Sequence, residues 1–120
     1  MNTFDQKQPI GSLKISREVL ATSAGAAAQE VEGVHALADA GVDLRGIVRG
    51  QFPRAVSIAI SDDIAVIDVR LVLESGARIP AVAQRVQTAV KEAVQNMTGV
   101  TVSKVNIVAA GVHYETVKEN

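Results

Sequence analysis

The chain has 120 residues, enough for one domain and too few for two. A formal net charge of −1 directs it toward neither nucleic acid nor anionic lipid, and the absence of cysteine excludes disulfides, thiol chemistry and thiolate metal sites. Hydrophobic residues make up 48%, but with two Phe, one Tyr and no Trp the core must be built from Val, Ala, Ile and Leu. Such side chains each bury little area, at roughly 25 cal/mol per Å², so self-association would add burial that a small monomer lacks.

Residues 1–10 are polar and aperiodic and read as a flexible arm without the apolar h-region of a signal peptide. No apolar run reaches the ~18 residues of a membrane span. The expectation is a cytoplasmic chain that reaches a membrane only peripherally, through a partner. Residues 11–15 can form a short strand with Leu13 and Ile15 on one face. Ser16 then has the character of an N-cap, with Glu18 in the first turn where the helix dipole favours a carboxylate. The spacing of Leu20, Ala24, Ala27, Val31 and Val34 predicts a helix over 17–32, closed by Gly33.

Residues 35–54 carry Gly41, Gly46, Gly50 and Pro53 and read as a long surface loop. A hairpin follows. Val56, Ile58 and Ile60 alternate with small polar residues, Asp62 and Asp63 form the turn, and Ile67, Val69, Leu71 and Leu73 share one buried face. Pro80 suits the first turn of a second helix whose stripe is Val82, Val86, Ala89, Val90, Ala93, Val94 and Met97, ended by Gly99. A last strand spans about 100–114. Val100 and Val102 differ in parity from Val105, Ile107 and Ala109, which predicts a bulge near Ser103 and Lys104. Val108, Val112 and Tyr114 place apolar groups on the second face. Residues 115–120 are a polar tail.

The predicted order is β-α-β-β-α-β over a single domain at 11–114. The fold class is α+β: a two-layer sandwich with one mostly antiparallel sheet and both helices on one face. A ferredoxin-like strand order is the default for this element string.

The search for chemistry yields no catalytic, cofactor-binding or metal-binding residues. His35 and His113 each lack a second histidine at chelating spacing and read as surface residues. No serine lies in a nucleophile elbow. Asp62 and Asp63 are explained by the turn, and Asp68, Arg70 and Glu74 by a solvated strand face. The glycines at 41, 46 and 50 match neither phosphate-binding pattern. Arg45, Arg49 and Arg54 form the one local basic cluster and are the candidate anion contacts. RNA recognition normally adds stacking aromatics, and only Phe52 is near.

Several segments, taken in order, carry a family resemblance. They are 11–20 (GSLKISREVL), 26–34 (AAAQEVEGV), 67–73 (IDVRLVL) with Gly76 after it, 82–87 (VAQRVQ), 97–100 (MTGV), 105–108 (VNIV) and Gly111-Val112. Together they resemble the alkaline-shock, envelope-stress-response family of mostly Gram-positive bacteria over residues 11–114. The resemblance implies a cytosolic non-enzyme of cell-envelope stress, without catalytic residues or a cofactor. Some members are recruited to the membrane by a small membrane-anchored partner of the same family, and others are linked to lipid synthesis. The leading expectation is a homo-oligomeric interaction module that docks on such a partner, with Val108, Val112 and Tyr114 as contact residues. The alternatives are a binder of nucleic acid or an anionic ligand through Arg45, Arg49 and Arg54, or a regulator linked to lipid synthesis. An enzyme ranks below both.

Overall fold

A computed structural model describes residues 11, 14–38 and 55–114. Its elements are α1 (Arg17–Gln29), β1 (Val34–Leu37), β2 (Val56–Ser61), β3 (Ile64–Glu74), α2 (Ile79–Thr98) and β4 (Thr101–His113). The arm 1–10, most of the loop 35–54 and the tail 115–120 lie outside the described residues.

Ser16 caps α1 as its residue type requires: extended backbone, with the hydroxyl accepting from the Val19 N–H at 3.1 Å. The helix buries Leu20, Ala24, Gly25 and Ala28. The small ones, Ala24, Gly25 and Ala28, let it sit close to the sheet. A Cβ placed on Gly25 would stand 2.9 Å from Leu37 Cδ1, so a larger residue there would have to move the leucine tip where α1 crosses β1.

The helix stops at Gln29, three residues before the predicted end. Glu30 to Gly33 form the turn into β1, and Gly33 adopts φ +101° within it. Among the described residues the first strand of the sheet is Val34–Leu37, and the predicted strand over 11–15 falls partly outside them. Lys14 and Ile15 lie outside any strand, and Ile15 instead packs its side chain against the core ahead of the cap. A pair of alternating apolar residues was too short a signal to separate a strand from a helix lead-in. Among the described residues the order is therefore α-β-β-β-α-β.

β3 is the axis of the sheet. β4 runs parallel along one side over its whole length, while β1 and β2 share the other side end to end, both antiparallel. β2 faces Ile64 to Val69, and β1 faces Leu71 to Leu73. Arg70 is the junction: its carbonyl accepts from the Ala38 N–H at 2.9 Å, and its N–H donates to the Ala55 carbonyl at 2.8 Å. The chain between Ala38 and Ala55 thus leaves and rejoins the sheet at one residue. This arrangement replaces the ferredoxin-like order, in which the central strand pair would include an N-terminal strand.

Two periodic stripes make the core. Ala65, Ile67, Val69, Leu71 and Leu73 point to the helix side of β3, and Val82, Val86, Val90 and Val94 recur every four residues on α2; all are buried. No polar or charged residue is buried with them among the described residues. Both helices pack on this one face, which makes an α+β two-layer sandwich. Among the described residues no helix covers the other face, where Val66, Arg70 and Val72 are half-buried and Asp68 is exposed.

Candidate functional site

The open end of the sheet gathers three side chains from three strands. Glu74 ends β3, His113 ends β4 directly beside it in register, and His35 comes from β1 on the opposite flank. Local geometry aims them. The β1–β3 register shifts between Val34 and Ala36, so His35 is the extra residue of a bulge and is turned onto the open side. Backbone bonds hold the frame. The Glu74 N–H donates to the Gly33 carbonyl at 2.8 Å, and the Ser75 N–H donates to the His113 carbonyl at 2.9 Å.

The two imidazoles stack with centroids 3.7 Å apart and planes 4° from parallel. His35 Nδ1 lies 3.2 Å from Glu74 Oε2, and His113 Nδ1 lies 3.3 Å from Oε1. Each ring donates an Nδ1–H to one carboxylate oxygen, since an ionised carboxylate can only accept. Hydrogen bonds from His35 and then His113 hold the Glu74 carboxyl below its ordinary value of 4.5. Sequence spacing argued that neither histidine had a partner. Strand pairing across β3 supplies one, and no local motif signals it.

The predicted contact residues divide. Among the described residues, β4 has β3 as its only strand partner, so its far side is a sheet edge. Near its start α2 covers it: Gln95 Oε1 accepts from the Val102 N–H at 3.0 Å, and Gln87 Nε2 donates to the Val105 carbonyl at 3.1 Å. Beyond Val105 no such side-chain bond to the edge's apolar residues is made among the described residues, and Val108, Val112 and Tyr114 are 42%, 39% and 70% exposed. The register shift at Ser103 stands where parity predicted it.

A second shift, between Leu71 and Val72, leaves Ala110 unpaired. It reverses parity, so Val108 pairs with Arg70 on the open side while Val112 pairs with Leu73 on the helix side. The two valines do not share a face as expected, because one extra residue swaps every side chain after it. Arg45, Arg49 and Arg54 lie outside the described residues.

A small α+β sandwich with a long parallel edge strand and no buried polar site among its described residues is the class this geometry defines. The sequence profile of the alkaline-shock-protein-23 family, described as having a cell envelope-related function, matches residues 5–114. Three relatives agree. The uncharacterized protein YqhY of Bacillus subtilis (strain 168) is 32% identical over 111 residues, covering 89% of this chain and 81% of its own. The uncharacterized protein YloU of the same strain is 33% identical over 114 residues, covering 92% and 95%. An uncharacterized protein of Streptococcus pyogenes serotype M6 is 33% identical over 104 residues, covering 86% and 80%. The chain belongs to the alkaline-shock-protein-23 family. No solved structure matches it. Among the described residues, no helix is long and apolar enough to cross a membrane.

Proposed function

We propose that this protein is a non-enzymatic, cytoplasmic interaction module of the envelope stress response that self-associates through the distal half of β4. The observation that carries the reading is that edge. It is the outer side of a 13-residue strand whose far half lacks the α2 side-chain bonds seen at Val102 and Val105, and it bears exposed Val108, Val112 and Tyr114. An unpaired strand edge is a template for another strand. The occupant is a second copy of this chain. Its β4 would bring the same exposed valines and tyrosine to a self-complementary contact. Docking of the assembly on a small membrane-anchored protein is the role that family membership suggests for it.

Light scattering coupled to size exclusion tests the reading on the full chain. The expected result is a dimer or larger assembly that Val112→Asp and Val108→Asp each shift toward monomer while circular dichroism stays native. A wild-type chain that is monomeric at high micromolar concentration, or an assembly that both aspartates leave intact, overturns it.

A further inference from the structure

We infer that His35, Glu74 and His113 form a binding site for a divalent transition-metal ion of borderline softness, with zinc as its representative. The ion would be held by two imidazole nitrogens and one carboxylate, with a further position open to water. This reading concerns the open end of the sheet and is independent of how β4 associates.

The donor set comes first. Two neutral imidazoles and a carboxylate suit zinc and its late transition-metal neighbours, whereas magnesium and calcium require a shell of oxygens. Two histidines and a glutamate with an open fourth position is a combination that zinc accepts.

The distances agree. One donor atom from each residue lies within 4.8 Å of the other two. Zinc bonds of about 2.0–2.1 Å at tetrahedral angles set neighbouring donor atoms roughly 3.3 Å apart. The two Nδ1-to-carboxylate separations are 3.2 and 3.3 Å. They run to different oxygens, Oε2 for His35 and Oε1 for His113, and each is close to the edge of a coordination tetrahedron.

The frame is also built in advance. The ligands sit on strands, with backbone bonds from Glu74 to Gly33 and from Ser75 to His113 fixing the frame, and the two exposed rings, stacked 4° from parallel, would turn out of the stack for both lone pairs to meet one ion. Their side chains are 38%, 46% and 42% exposed, so an ion can enter and water can complete the shell. Such an ion would tie β1 and β4 to the end of β3.

The test is a titration of zinc into the full, tag-free chain after chelator treatment, followed by calorimetry and by the thermal midpoint, with magnesium in parallel. The expected result is one zinc per chain, a midpoint that climbs with free zinc, and no response to magnesium. His35→Gln and His113→Gln should each weaken zinc binding roughly 100-fold, the upper end of what loss of even an outer-shell partner costs. Metal-free circular dichroism of each variant should stay native. If one variant fails to fold, the other and Glu74→Gln carry the test. Absence of saturable zinc binding overturns the site. So does wild-type affinity in the folded variants, which would mean an adventitious surface ion only.

Discussion

His35 stacks on His113 with ring centroids 3.7 Å apart, although the two residues belong to strands on opposite flanks of β3. Glu74 is what brings them together, one ring to each carboxylate oxygen. The structure thereby couples the last residue of the central strand to both neighbours through side chains as well as through the backbone.

That coupling has a pH signature. The Glu74 carboxyl is held below its ordinary value of 4.5 by hydrogen bonds from His35 first and His113 second. A depressed carboxyl binds its proton less readily in the folded chain than in the unfolded one. Its contribution is therefore fully present above pH 4.5 and is lost as pH falls through the folded value. Glu74→Gln removes the charge at every pH. Thermal midpoints of the two proteins in chelator should differ above pH 4.5 and converge below it. A gap that widens on acidification contradicts this account.

Core energetics should follow the alternation of β3. Leu71 is fully buried against the helices, while its neighbour Val72 is half-buried on the open side. Leu71→Ala should cost about 2–5 kcal/mol in urea unfolding, from lost transfer energy plus the residual cavity. Val72→Ala should cost about 1 kcal/mol or less, because less of its side chain leaves water on folding. Equal costs at the two positions would mean that the open face is covered in solution.

The β2–β3 turn stores a small, removable strain. Asp62 and Asp63 both have positive φ, 53° and 62°, as a two-residue hairpin of the mirror-image type demands. An L-residue in the left-handed region costs roughly 1–2 kcal/mol, and glycine avoids this at about 0.4–1 kcal/mol of extra unfolded-chain entropy. Asp63→Gly should thus raise stability by about 0.5–1 kcal/mol, and Asp63→Ala should lower it. Differential scanning calorimetry reads both signs.

What could be read from the residues alone followed the strength of the local signal. Valines at every fourth position from 82 to 94 and the alternation from Ile67 to Leu73 are long enough that one period dominates, and both elements form as predicted. The parity break around Ser103 was visible because apolar residues stand on both sides of it. The second break was not. It falls in Ala109-Ala110-Gly111, where no side chain is large enough to mark a face. β1 was hidden for a related reason, being four residues long and bulged at His35. The histidine–glutamate cluster depends on both of these features, since the bulge aims His35 and the strand pairing sets His113 beside Glu74. Only the pairing of distant strands could reveal it.

Gly33 offers the sharpest separation of two physical costs. Its φ of +101° is one that L side chains rarely adopt, and a Cβ there would come within 2.6 Å of Val82 Cγ2. Gly33→Ala should therefore combine backbone strain of about 1–2 kcal/mol with an overpacking cost of about 1–3 kcal/mol. Val82→Ala makes room for the new methyl but leaves the backbone unchanged. In a double-mutant cycle the pair should be less destabilised than the sum of the single changes, and the difference measures the clash. What remains in the double mutant beyond the Val82→Ala cost is the strain of the turn that delivers the chain into β1. Strict additivity would place the whole penalty in the backbone and none in the contact between the turn and α2.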